Sequence, residues 1–183
     1  MNLQKLFEMQ RQLDEHIEKE HPREPGEDRL AKKILALYGE LGELLNEWRG
    51  FKYWSYDQEP RTVLTEIPSY DGIPFFADAK TRNPLLEEYV DCLHFILSIG
   101  LELYAEEDIE MIAADLQLFR RVNIIEQFQG IFYNISRLRS GGYTYLFEHF
   151  LGLGKMLGFT WEQIEEAYMK KNAVNHQRQE SGY

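Results

Sequence analysis

Two acidic pairs carry the sharpest chemical signal in the sequence. YGELGELLNEW (38–48) sets Glu40 and Glu43 three residues apart, with Glu47 a turn further on, and EYVDCLHF (88–95) repeats the spacing with Glu88 and Asp91. Residues three and four apart share a face of an α-helix, so each pair presents two carboxylates side by side, where like charges repel. Such a concentration is unfavourable unless a cation neutralises it. Hard oxygen donors suit Mg²⁺, which binds carboxylates together with substrate phosphates. A solvated face laced with Lys and Arg is the plain alternative. That alternative is weaker for the second pair, because the apolar run LHFILSIGL accompanies it. A helix that apolar is expected to be buried, and buried carboxylates need partners. Phe95, seven residues after Glu88, falls on the same face.

Asp91 and His94 also have the carboxylate-x-x-His spacing of bundles that hold two iron atoms, which need such a motif on two helices. Elsewhere only Glu18-x-x-His21 has it, at a helix end beside Pro22. His94 therefore reads as a hydrogen-bonded core histidine rather than an iron ligand. A second informative stretch is YMKKNAVNHQRQESGY (168–183), which reverses the local charge. Lys171, Asn175 and Arg178 share one helical face, and Asn172, Asn175 and Gln179 an overlapping one. Cations with neutral amides between them are what a nucleotide polyphosphate requires. Complementation of a helix C-terminal dipole is the competing explanation.

The elements that must position these groups follow a period near 3.6. Leu3, Leu6, Met9 or Gln10, Leu13 and Ile17 form one stripe, a helix that stops before the connector HPREPGE. Glu27 and Asp28 are expected in the first turn of a second helix, with the stripe Leu30, Ile34, Leu37, Leu41, Leu44/Leu45 and Trp48, ending near Gly50. At about 100° per residue the Glu40/Glu43/Glu47 group is centred roughly 110° from that stripe, at the rim of whatever the helix packs against. Gly39 and Gly42 would allow close approach of a neighbouring helix, and Glu47 is a spare, outer carboxylate. If the helices bearing the two pairs pack face to face, four carboxylates converge.

Residues 50–83 hold three prolines and many aromatic side chains without a helical period, a long connection that calls either for a function or for a packed loop or short hairpin covering the core. Helix three starts at Pro84. Residues 107–139 make another amphipathic stretch, either continuous or broken within it, SGGY (140–143) is a turn, and 143–157 is a further helix. The last helix runs from Phe159 to Gln179, with Thr160 as N-cap and Gln163 at the capping-box position. The expectation is an all-α, single-domain bundle of about six helices over residues 1–183.

A chain of 183 residues with 44% apolar composition can bury a sizeable core. Its 31 Asp and Glu against 20 Lys and Arg give a net charge of -11, which repels nucleic acid and anionic membranes as main partners. The lone cysteine, Cys92, rules out an internal disulfide and fits a reducing compartment, so a cytoplasmic protein is expected.

On these residues the sequence resembles a known family. ELGE and EYVDCLHF look like the two acidic motifs of the all-α NTP pyrophosphatase superfamily, and KKNAVNHQRQESGY like the C-terminal phosphate motif of its dimeric dUTPase branch. MQRQLDEHI (9–17) is similar to that branch's first motif. The resemblance implies a homodimer that hydrolyses dUTP to dUMP and pyrophosphate, by attack of water on the α-phosphate. Glu40, Glu43, Glu88 and Asp91 match the positions that hold Mg²⁺, and Glu40 would also deprotonate the water. Gln10 matches the uracil-reading amide, and Phe95, with His94 beside it, the aromatic set against deoxyribose. Phe51, Tyr53 and Trp54 resemble the segment that covers the base, although Tyr53 stands where Trp is frequent and a residue is inserted near Arg49–Gly50. Lys171, Asn175 and Arg178 match the residues that hold phosphates and sugar. Asp14 stands where some members carry Asn, and no role is assigned to it.

Two alternatives stay open at this point. One is the same chemistry on dCTP or a noncanonical triphosphate, because an amide such as Gln10 can present either hydrogen-bonding pattern to a pyrimidine. The other is a non-catalytic helical interaction module.

Overall fold

The computed structural model describes residues 2–71 and 73–182. Helices dominate it, in keeping with the all-α expectation. They are α1 (Leu3–Glu20), α2 (Arg29–Trp48), α3 (Pro84–Leu103), α4 (Glu106–Asp115), α5 (Ile124–Ile135), α6 (Tyr143–Met156) and α7 (Trp161–Glu180). The described residues thus hold seven α-helices rather than about six. The stretch 107–139 is split, because Asn123 caps a new helix by accepting from the Glu126 amide. The intervening chain is pinned by Gln127, whose amide donates to the carbonyls of Phe119 and His149.

Local signals fix most of the ends. Asn2, Asp28, Asn83 and Thr160 each accept from a first-turn amide, and Thr160 with Gln163 forms the reciprocal capping box. Asp28 is therefore the cap of α2 rather than a first-turn residue, and Glu27 lies outside the helix, where it pairs with Arg29. The C-cap of α2 is Arg49, in a left-handed conformation with φ 63°. A non-glycine residue tolerates this only when held, and the buried Arg49 guanidinium bonds the Asp57 carbonyl and carboxylate.

Helix α3 is the axis of the molecule. Twelve of its residues, including Tyr89, Leu93, Ile96, Leu97 and Ile99, are buried on nearly every side, as expected of a helix that is apolar all round. It packs along α2 and also touches α1, α4, α6 and α7. Leu37, Leu41 and Leu44 of α2 and Phe147 and Phe150 of α6 complete the core around it. Truncating one of these to Ala costs about 2–5 kcal/mol, through lost transfer energy and the cavity left behind.

The segment between α2 and α3 folds as two short antiparallel pairs, one nested in the other. The outer pair joins β1 (Leu64–Glu66) to β4 (Lys80–Arg82), with Thr65 opposite Thr81. The inner pair joins β2 (Ser69–Tyr70) to β3 (Ile73–Pro74), followed by a 3₁₀ turn at Phe76–Asp78. Its root is tied to the helices, since the Arg61 amide donates to Glu47 and the Leu85 amide to Arg61. Both outer strands are exposed and do not cover the core, while Phe51, at the start of the segment, packs against it. Among the described residues no helix is long and apolar enough to cross a membrane.

Candidate metal and nucleotide site

The packing of α2 along α3 brings the two acidic pairs together. Glu40, Glu43 and Glu88 each offer a carboxylate oxygen, and the three oxygens lie within 4.8 Å of one another. Crowding and burial disfavour the charged forms. Burial, then the negative charges of Asp91, Glu43 and Glu40, pushes the Glu88 carboxyl up to about 7. Burial raises Glu40 as well, with Asp91 and Glu43 adding to it. Asp91 stands a step apart. Its Oδ2 accepts from Nζ of Lys171 at 2.5 Å, yet burial outweighs that partner and leaves its carboxyl raised.

Neither glycine of ELGE's neighbourhood makes a close helix contact, contrary to expectation. A β-carbon at Gly39 or Gly42 would meet nothing within 4 Å. Close approach is needed elsewhere: a β-carbon at Gly100 would stand 2.1 Å from the Tyr143 hydroxyl. Glu47 is not part of the three-carboxylate group. It pairs with Arg61 at 3.3 Å, and its second oxygen is buried with no hydrogen-bond partner.

A cleft of about 720 Å³ opens beside the carboxylates, between α1, α2, α3 and α7. Glu40, Glu43 and Asp91 line one side, and Gln10, His94 and Phe95 another. Lys171, Asn175 and Arg178 of α7 close it, with Arg178 donating to Asn175 at 3.5 Å. Asn172, by contrast, is buried against α1 and donates to the Met9 carbonyl. Glu88 faces a separate, smaller hollow with Glu47, Arg61 and Arg82.

Gln10, rather than Met9, sits on the buried stripe of α1. Its carbonyl oxygen accepts from the Tyr168 hydroxyl and from Nδ1 of His94, each at 2.8 Å. Burial drives the His94 imidazole down to about 3, so the ring is neutral, and it stacks on Tyr168 with centroids 4.1 Å apart. Its Nε2 is buried without a hydrogen-bond partner. No second carboxylate-x-x-His motif meets it among the described residues, and the one metal-competent group there is oxygen-only.

Tyr53 and Trp54 do not line this cleft. They lie on the inserted segment, 87% and 64% exposed, edge to face with each other at 5.0 Å. Phe51 also meets the Trp54 ring edge to face, with centroids 5.7 Å apart. Asp14, Lys33 and Ser98 also line the cleft and escaped the spacing arguments, as did Tyr168, which bonds Gln10 without being part of the lining. Asp14 is one turn beyond Gln10, and Tyr168 one turn before Lys171, so both were legible as extensions of faces already singled out.

Oxygen donors gathered at bonding separation, held partly out of water, are what a hard divalent cation needs. Cations and amides on the facing helix supply the complement for phosphate. No curated protein matches the chain, but the model of a family described as dUTPase matches it twice, over residues 2–77 and over residues 76–183. Those two matches span nearly the whole sequence and take in every residue of the cleft. The chain belongs to the all-α dimeric dUTPase family, and its activity is that of a dUTP diphosphatase.

Proposed function

We propose that this enzyme hydrolyses dUTP to dUMP and pyrophosphate in a Mg²⁺-dependent reaction, with water attacking the α-phosphate. The observation that carries the reading is the convergence of Glu40, Glu43 and Glu88 from two helices beside a cleft closed by Lys171 and Arg178. The donor set fits Mg²⁺: it is all oxygen, and the raised Glu88 and Glu40 carboxyls mark a place where negative charge lacks a counterion. Glu40, Glu43, Glu88 and Asp91 would hold the ion. When bound, Mg²⁺ offsets the charge of the phosphate oxygens as it grows toward the transition state.

The chain's own residues do the rest. Glu40, with its proton affinity raised, is suited to orient the attacking water and take its proton, since a general base works best near the operating pH. Lys171, Asn175 and Arg178 hold the phosphates and sugar. Gln10 reads the uracil edge, and Phe95, with His94 behind it, packs where a ribose 2′-hydroxyl would clash. Tyr53 and Trp54 cover the base from the inserted segment. That segment also exposes Tyr56, Val63 and Phe76, and this apolar surface, together with the family's dimeric character, supports a homodimer.

The test is release of pyrophosphate from dUTP, dCTP, dTTP and UTP, each with Mg²⁺ and with EDTA. Turnover of dUTP that requires Mg²⁺ and is lost in Glu43→Ala and Asp91→Ala is the expected result. Wild-type rates in those variants, or undiminished rates in EDTA, would sink the metal assignment.

A further inference from the structure

Gln10 is held by three neighbours that leave it one polarity. Its carbonyl oxygen already accepts from Tyr168 and from His94, which fills both lone pairs. Its Nε2 donates to Oδ1 of Asp14 at 2.7 Å, and a single N–H remains. Tyr168 and His94 alone would not fix this, because a hydroxyl can turn to accept and an imidazole can change tautomer. Asp14 does. Its other oxygen accepts from the Ser98 hydroxyl at 2.6 Å and from the Lys33 ammonium at 3.1 Å, and Lys33 is a donor only. An amide rotated by half a turn would set the Gln10 oxygen against the Asp14 carboxylate, acceptor against acceptor, at a side chain only 3% exposed. At a buried position such an opposition is costly.

We propose that Asp14, held by Lys33 and Ser98, is a positioning residue that orients the Gln10 amide so that it shows the base one N–H donor, and so selects a pyrimidine with a carbonyl at C4 over one with an amine there. This rests on the reading that Gln10 faces the base. A donor meets the C4 oxygen of uracil productively. Against the cytosine amine, two donors oppose each other with no acceptor between them, and a buried polar group left unpaired is the strongest source of discrimination a small pocket has. Thymine carries the same C4 oxygen, so this device does not act on its methyl group. The ambiguity of an amide read from sequence is removed by a neighbour one helical turn away.

The experiment compares kcat/KM for dUTP and dCTP in the wild type, Asp14→Asn and Gln10→Ala. Asp14→Asn is nearly isosteric. Lys33, a donor only, takes the oxygen of the substituted amide and turns its NH₂ group toward Gln10, whose own amide then inverts as the Tyr168 hydroxyl turns to accept and His94 moves its proton to Nε2, the one group left without a partner. The dUTP-to-dCTP ratio is expected to fall at least tenfold, with thermal stability little changed. A second arm needs no variant to fold. The 2-pyrimidinone deoxynucleoside triphosphate, which has no oxygen at C4, is expected to be used at least tenfold less well than dUTP by the wild type. A wild-type ratio in folded Asp14→Asn, or equal use of the 2-pyrimidinone substrate, overturns the proposal. Gln10→Ala separates the two layers. If it leaves both KM for dUTP and the ratio unchanged, Gln10 does not read the base. If it raises KM while Asp14→Asn keeps the ratio, only the orienting role of Asp14 falls.

Discussion

Nζ of Lys171 on α7 lies 2.5 Å from Oδ2 of Asp91 on α3, so one contact joins the basic terminus to the acidic pair. The pair is partly buried, with side-chain exposures of 29% and 16%. Removing the ammonium leaves an Asp91 carboxyl whose proton affinity burial already raises. Lys171→Met is expected to cost about 1–3 kcal/mol, since a buried charged acceptor loses its donor. In a chain of this size that lowers Tm by about 2–4 °C for each kcal/mol. Activity on dUTP should fall much further, by roughly 100-fold or more in kcat/KM, because a cation aimed at phosphate is lost with it. Calorimetry and steady-state kinetics on the one variant read both numbers.

The Glu88 carboxyl gives a pH prediction whose sign is fixed. Its proton affinity rises from an ordinary 4.5 to about 7 on folding. The folded protein therefore binds more protons than the unfolded chain between those values, and this group's contribution to stability is lost as pH rises through about 7. His94 acts oppositely, since its fall to about 3 means the unfolded chain binds the extra proton below 6.5. The two slopes overlap, so the bare stability curve hides each. A difference removes the histidine. The stability of Glu88→Gln minus that of the wild type, both in EDTA, is expected to grow as pH rises from 4.5 to 8. A flat difference would mean that Glu88 titrates normally.

Much of this was legible in the sequence, and what was not has physical causes. The acidic pairs, the stripe of α2 and the caps at Asn83 and Thr160 follow from spacing and local hydrogen bonding, which a sequence states directly. Spacing also puts each acidic pair on one face of its helix, and leaves the meeting of the two pairs conditional on α2 packing along α3. It does not say that Asp91 finds Lys171, or that Glu47 finds Arg61, because such pairings are set by how α7 and the inserted segment dock. A break within 107–139 was open from the sequence but its place was not, because LQLFRRVN (116–123) between α4 and α5 holds neither proline nor glycine to mark it. Asp14 shows the limit most clearly: its role depends on Lys33 and Ser98, 19 and 84 residues away.

Mg²⁺ should stabilise the protein, and stabilise it more when a non-hydrolysable dUTP analogue is present. A ligand that binds only the folded state adds about 2.7 kcal/mol at 100 times its dissociation constant, or roughly 5–10 °C in Tm for a chain of this length. Glu40→Gln and Glu43→Gln are expected to lose most of the shift with Mg²⁺ alone. Both variants should be more stable than the wild type in EDTA, because each removes a negative charge from an uncompensated cluster. Thermal shifts with Mg²⁺, with Ca²⁺ and with EDTA distinguish this from a general salt effect, which all variants would share.

Gly100 offers a test of the packing that positions the site. A β-carbon there would lie 2.1 Å from the Tyr143 hydroxyl, which donates to the Ile96 carbonyl at 3.0 Å in the middle of α3. Gly100→Ala must therefore push the ring aside or break that bond, and overpacking of this kind costs about 1–3 kcal/mol. Asp14 accepts from Ser98, two residues away, so a shift of α3 at this point also reaches Gln10.

The exposed pair Tyr53 and Trp54 separates a structural role from a binding one. Trp54 is 64% exposed and its ring packs edge to face against Phe51 and Tyr53 of the inserted segment. Its replacement by Ala should change stability by no more than about 0.5 kcal/mol, the usual range for surface positions. If the segment closes over the base, the same substitution removes a stacking partner worth roughly 1–3 kcal/mol, and KM for dUTP rises about 5- to 150-fold with kcat little affected. Tyr53→Ala, on the neighbouring ring, should act in the same direction and less than additively, because the two side chains pack edge to face as one unit. Unchanged KM in both variants would assign the exposed rings to contact between subunits instead, which sedimentation of Trp54→Ala against the wild type would reveal as a loss of dimer.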